Sequence, residues 1–152
     1  EYLGLDLCEP FRLSLTPAEQ EVDVIIHPGS GGKNKNWPLQ RFQELAERLR
    51  ERNRHVRWCV GPAEDAIALP EGSETLSAPS LTDLARSLTS AKAYVGNDSG
   101  ISHLAAACGT PTTAIYGPTN PCVWAPQGSH VRVVRGEPWP DVDAVLDSLI
   151  NT

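Results

Sequence analysis

The chain has 152 residues, with 13 lysines and arginines against 19 aspartates and glutamates, for a formal net charge of −6. That length suits one domain with a core of its own, and the acidic balance argues against a nucleic-acid backbone as main partner, which would need a clustered cationic footprint. No apolar run approaches the roughly 20 residues of a membrane span and no signal-peptide pattern opens the chain, which reads as a soluble, cytoplasmic protein.

In chain order, residues 22–27 (VDVIIH) form a short apolar strand that gives way to the glycine-rich loop PGSGGKNKN. Pro38 suits the first turn of the helix that follows, with Leu39, Phe42, Leu45, Ala46 and Leu49 recurring on one face. The basic run from Arg48 to Arg57 falls at the end of that helix, where cations complement the dipole, and reads as a solvated helix end. A second strand, HVRWCVG (55–61), stops at Gly61-Pro62, and residues 63–79 read mostly as connection. Ser80 and Asp83 resemble a capping box for a helix whose buried stripe is Leu81, Leu84, Ala85 and Leu88. Strand AYVG, loop NDSG, helix ISHLAAAC with Gly109 as its stop, and strand TTAIYG follow. Strand VRVVR and helix DVDAVLDSLI close the chain.

Strands alternating with helices at this rhythm predict an α/β fold: a Rossmann-like, doubly wound parallel sheet with helices on both faces. Ligands of such sheets sit outside the carboxyl ends of the strands. The loops 28–36 and 96–100 both leave strands at that rim and are expected to face one pocket.

Gly29, Ser30, Gly31 and Gly32 let the backbone approach a ligand, and Lys33 or Lys35 adds a positive charge, a combination suited to phosphate oxygens. The alternative is a flexible glycine loop. His27 and Asn34 stand where a P-loop needs Gly and Ser or Thr, which argues against an NTPase of that kind. Asp98, Ser99 and Gly100 open a helix whose first-turn amides and dipole suit an anion, although Asp98 or Ser99 as a simple cap explains them equally. His103 fits either this site or the core. Ser99 lacks the flanking glycines of a nucleophile elbow. Asp141 and Asp143 begin the last helix and read as caps rather than as metal ligands. Trp37 and Trp124 lie nearest the rim and are expected to wall the pocket.

The four cysteines, Cys8, Cys59, Cys108 and Cys122, show no CxxC pairing and no metal-ligand spacing with the four histidines. They predict reduced, buried thiols and no metal. The chain contains no Met and starts at Glu1, which reads as a piece of a longer protein.

Taken together, HPGSGGKNKNWPLQRFQELAERL and GNDSGISHLAAACGTPTTAIYGPTNPCVWAP resemble the carboxyl-terminal half of glycosyltransferase family 9, the ADP-heptose:lipopolysaccharide heptosyltransferases. The resemblance implies one half of a GT-B fold, with residues 1–152 as the nucleotide-sugar-binding domain and the amino-terminal acceptor domain absent from this chain. It implies a nucleotide-diphosphate sugar donor, a lipid-linked saccharide acceptor reached at the inner face of the cytoplasmic membrane, and no cofactor.

Residue by residue, Ser30 and Gly31 match the family's diphosphate-contacting loop. Lys35 matches the lysine that meets phosphate and sugar and stabilises the leaving group, with Lys33 as the fallback. Asp98 matches the acid that hydrogen-bonds the donor sugar; Ser99, Gly100 and His103 match the phosphate end. The ribose acid falls at Glu64 or Asp65, and the base is held by backbone near Ala78, Pro79 and Ser80. The resemblance also implies inversion of the anomeric centre without a metal, by an Asp base carried on the other half, so that this piece alone is expected to be inactive. Two other readings stay open: a non-catalytic nucleotide-sugar-binding or regulatory module, and a related transferase using a UDP- or GDP-sugar.

Overall fold

In the computed structural model, residues 11–61, 67–76, 78 and 80–150 are described. Five parallel strands, β1 (Val22–His27), β2 (Val56–Trp58), β3 (Ala91–Asn97), β4 (Thr112–Tyr116) and β5 (Val131–Arg135), form one sheet in the order β2-β1-β3-β4-β5. The helices are α1 (Leu39–Glu51), α2 (Leu81–Ser90), α3 (Gly100–Ala107), α4 (Pro121–Trp124) and α5 (Val142–Ile150). The Rossmann-like, doubly wound expectation is met. Helices α1 and α5 cover one face, where Phe42, Leu45, Leu49, Val145 and Leu146 pack with Val24, Ile26, Val95 and Ile115. Helices α2 and α3 cover the other, where Leu84, Leu88 and Ala105 pack with Ile25 and Tyr94. Sheet strands covered on both faces need near-continuous apolar runs, and β1 and β3 supply them beyond Asp23 and Lys92 at their starts.

The strand order reverses between β1 and β3. Chain entering β2 moves outward from β1, whereas chain leaving α2 returns to the other side of β1, so the loops after β1 and β3 diverge and open a crevice at this switch point. The pairs Ile26↔Val95 and His27↔Gly96 bring the two strand ends level. A side chain at Gly96 would run into the Tyr94 hydroxyl and crowd the His27 carbonyl, so glycine leaves room for the Tyr94 ring here.

Most elements lie where the sequence puts them, and the differences have physical causes. Strand β2 is three residues long rather than seven; its last residue, Trp58, turns its outer edge to residues 74–76, its N donating to Glu74 O and its O accepting from Leu76 N. Ser80 caps α2 as expected, its hydroxyl accepting from Asp83 N, but Leu81, assigned to the buried stripe, stands exposed in the first turn. Trp37 walls no pocket: it is buried in the core edge-on to Phe42, with ring centroids 4.9 Å apart, and its Nε1 donates to Pro140 O at 3.0 Å. Cys59 and Cys108 are buried as expected, and burial raises the Cys108 pKa; Cys122 is exposed on α4, and Cys8 lies outside the described residues. Asp141 Oδ1 accepts from Ala144 N at 2.8 Å, which is a helix cap.

Helix α4 was not read from the sequence, although Asn120-Pro121 is a helix-start signal. Asn120 Oδ1 accepts from Cys122 N at 3.0 Å and Pro121 occupies the first turn. No helix among the described residues is long and apolar enough to cross a membrane.

Candidate functional site

The two rim loops meet through Asn97, the last residue of β3. Its Oδ1 accepts from Trp37 N at 2.8 Å and its Nδ2 donates to Pro28 O at 2.8 Å, so one buried carboxamide ties both ends of the glycine loop to β3. Within that loop the Ser30 hydroxyl lies 2.8 Å from Gly32 O and accepts from Gly32 N at 3.2 Å. The Ser30 side chain therefore shapes the loop. Lys33 and Lys35 share a short 3-10 turn, Lys33–Lys35, in which Lys33 is exposed and Lys35 half-buried.

The start of α3 stands across from this loop. Ser99 is its cap: the hydroxyl accepts from Ser102 N and lies 3.4 Å from His27 Nδ1 and 3.3 Å from Ser102 Oγ. Ser102 Oγ donates to Asn97 O at 2.6 Å and lies 3.1 Å from the Tyr94 hydroxyl, whose pKa is raised by burial. This buried polar chain fixes the helix start from behind. The amides of Gly100 and Ile101 have no acceptor within the helix and edge a cleft of about 350 Å³.

That cleft is lined on the α3 side by Ser99, Gly100 and Ile101, on the glycine-loop side by His27, Ser30 and Gly31, and elsewhere by Cys59, Val60, Leu76, Ala78 and Leu84. It is apolar over the β2 end and polar over the switch point, the pattern of a pocket for a flat organic group joined to an anion. Ala78 lines it. Ser80 serves as the α2 cap. Glu64, Asp65 and Pro79 lie outside the described residues.

Lys35 and Asp98 do not line this cleft; they sit beyond the α3 start, toward β4. Lys35 Nζ is 3.1 Å from Asp98 Oδ2, with the carboxylate 7 % and the lysine 35 % exposed. Tyr116, at the end of β4, donates its hydroxyl to Trp124 O at 2.8 Å; burial, and after it the Asp98 carboxylate, holds its pKa above the usual tyrosine value. His103 is exposed, and its Nε2 lies 3.1 Å from the same Trp124 carbonyl. The structure thus joins Ser30, Gly31, Ser99 and Gly100 around one cleft, joins Lys35 and Asp98 beside it, and engages His103 with α4.

Sequence reasoning missed Asn97, His27 and Tyr116. In the sequence Asn97 opens the loop NDSG, and His27 and Tyr116 stand at the ends of the apolar strands VDVIIH and TTAIYG. The one available signal was that all three stand at carboxyl ends of strands, the rim where such sheets hold ligands.

Fold and site define a class: a doubly wound α/β domain with a glycine loop and a helix start lining one cleft at its switch point. The chain belongs to glycosyltransferase family 9 (heptosyltransferase), whose family model matches residues 4–147. It is 42% identical over 104 residues to lipopolysaccharide heptosyltransferase 1 of Pseudomonas aeruginosa, covering 64% of this chain and 29% of that protein. It is 33% identical over 135 residues to the Escherichia coli K12 protein of the same name, covering 85% of this chain and 42% of that one. Among solved structures it resembles E. coli heptosyltransferase WaaC with ADP, with a TM-score of 0.81 and 29% identity over 90% of this chain and 46% of that one. The ADP-heptose lps heptosyltransferase II of E. coli superposes with a TM-score of 0.75 and 26% identity, over 88% of this chain and 47% of that one. The chain thus spans less than half the length of each of these relatives.

Proposed function

We propose that this domain is the donor-binding half of an inverting, metal-independent glycosyltransferase that moves heptose from ADP-heptose to a lipopolysaccharide-type acceptor at the inner face of the cytoplasmic membrane. The observation that carries the reading is the meeting of the glycine loop with the α3 start at the β1/β3 switch point, with Lys35 Nζ 3.1 Å from Asp98 Oδ2 beside it. The names of the relatives support the heptosyl donor and the lipopolysaccharide acceptor.

In this reading the nucleoside enters the apolar part of the cleft and the diphosphate lies over Gly31, Gly100 and Ile101. The sugar then projects toward Lys35 and Asp98. Cleaving the bond from the anomeric carbon to the diphosphate oxygen leaves negative charge on the diphosphate, which the α3 amides and the Lys35 ammonium meet as it develops. Asp98 accepts hydrogen bonds from sugar hydroxyls. An acceptor hydroxyl oxygen bonds to the anomeric carbon from the opposite side, and its proton passes to a base carried elsewhere in the full-length chain.

Calorimetric titration of the full-length chain with ADP, UDP, GDP and ADP-heptose tests the reading. Binding of ADP and ADP-heptose with weaker binding of UDP and GDP is expected. Preference for UDP or GDP would reassign the donor, and no binding by the folded protein to any of the four would remove the reading.

A further inference from the structure

We propose that the Trp124 indole is the aromatic wall of the sugar subsite, selecting a glycosylated over a bare nucleoside diphosphate. This rests on the donor-binding reading above and adds to it a residue that the fold holds in place for the purpose.

Trp124 is 56 % exposed in this chain, so its indole is open to a ligand. Its backbone is nevertheless fixed from two directions. The Trp124 carbonyl accepts from the Tyr116 hydroxyl of β4 at 2.8 Å and stands 3.1 Å from His103 Nε2 of α3. Asn120 and Pro121 set the start of the single turn that carries it. With the backbone anchored, only the side-chain torsions of the indole remain to be ordered on binding, which lowers the ordering cost.

What the indole faces is specific. Lys35 Nζ lies 5.9 Å from the ring centroid and 3.1 Å from the buried Asp98 carboxylate. A pyranose has an apolar C–H face and a rim of hydroxyls. The indole offers a polarisable flat surface for the first, and the carboxylate and ammonium offer an acceptor and a donor for the second. A bare diphosphate has no C–H face to lay on the ring. His103, whose Nε2 is engaged by the Trp124 carbonyl, acts here as a positioning residue for α4.

The test compares wild type, Trp124→Ala and Trp124→Phe in the full-length chain, with ADP and ADP-heptose as titrants. Stacking of this kind corresponds to about a three- to tenfold loss of ADP-heptose affinity in Trp124→Ala. ADP affinity should stay within about twofold, and Trp124→Phe should keep most of the wild-type preference. The backbone bonds of Trp124 survive both substitutions, so folding is not at stake. In a second measurement, ADP-heptose should shield tryptophan fluorescence from acrylamide in wild type more than ADP does, and this difference should vanish in Trp124→Ala.

Equal losses for ADP and ADP-heptose, or none for either, would overturn the inference and leave the donor reading standing. An indole already shielded from acrylamide without ligand would overturn it too, because the ring would then pack against another part of the chain. Wild-type protein that binds neither titrant would remove the donor reading and this inference with it.

Discussion

The Asn97 carboxamide oxygen accepts the Trp37 amide at 2.8 Å across 60 residues of sequence. Its nitrogen reaches Pro28 O at 2.8 Å and, more weakly, Gly29 O at 3.4 Å. A loop rich in glycine loses much conformational freedom on ordering, and this fully buried brace is what orders it. Replacing Asn97 by Ala leaves the Trp37 amide and the Pro28 carbonyl without that partner, at a cost of about 2 kcal/mol. Chemical denaturation of the full-length chain should show that loss, and ADP affinity should fall with it. An Asn97→Ala protein of wild-type stability and ADP affinity would show that the loop is ordered by other means.

Lys35 and Asp98 are coupled by charge, yet their substitutions should have different effects. Lys35→Ala removes a cation from the diphosphate and the sugar alike, and should weaken ADP and ADP-heptose together by about tenfold. Asp98→Asn keeps the shape and removes the charge; it should leave ADP binding near wild type and weaken ADP-heptose. Titration of both variants with both ligands checks the pair, and identical profiles would assign the two residues a common structural role.

Two tyrosines should resist ionisation. Burial raises the pKa of Tyr94, and burial with the Asp98 carboxylate raises that of Tyr116, both from an ordinary value of 10.0. The unfolded chain gives up these protons near pH 10 while the folded chain retains them, so stability falls as pH rises above about 10. Absorbance titration of the phenolate band should show the two tyrosines appearing only with unfolding, as a cooperative step. A smooth titration of every tyrosine near pH 10 in folded protein would contradict the packing described.

At acid pH the group to watch is Asp23. The Lys92 ammonium at 2.8 Å, and after it the His55 amide at 2.8 Å, hold its carboxyl below the ordinary 3.8. A depressed folded-state pKa contributes stability that is present above about pH 4 and is lost as pH falls through the folded value. Asp23→Asn should therefore cost about 1 kcal/mol at neutral pH and flatten the acid limb of the stability profile, with the difference from wild type shrinking as the carboxyl is protonated in the folded state. A wild-type and variant pair with parallel acid limbs would place the acid transition elsewhere.

Much of the fold was legible because periodicity is local. The apolar runs of β1, β3 and β4 and the stripe of α1 from Phe42 to Leu49 are written in neighbouring residues, and the Gly, Pro and Ser boundaries punctuate them. Leu81 misled because its spacing puts it on the face of Leu84, Ala85 and Leu88, while periodicity does not say how far along the helix the neighbours that cover that face extend. Trp37 misled because its place in sequence beside the glycine loop says nothing about its χ angles, and the indole turns inward to Pro140, more than a hundred residues away.

The sequence by itself determined that this is a doubly wound α/β domain, that its two glycine-bearing loops leave strands at one rim, and that its motifs match glycosyltransferase family 9. These follow from patterns no longer than a helix and from the order of motifs. Only the tertiary structure decided that β1 and β3 are neighbours at the point where strand order reverses, that Asn97 ties the loops together, and that Lys35 rather than Lys33 meets Asp98. It also showed the Tyr116 hydroxyl and His103 converging on the Trp124 carbonyl. The physical reason is that strand order and side-chain direction depend on how helices pack over the sheet, and no local pattern records which distant residues a buried polar group will find.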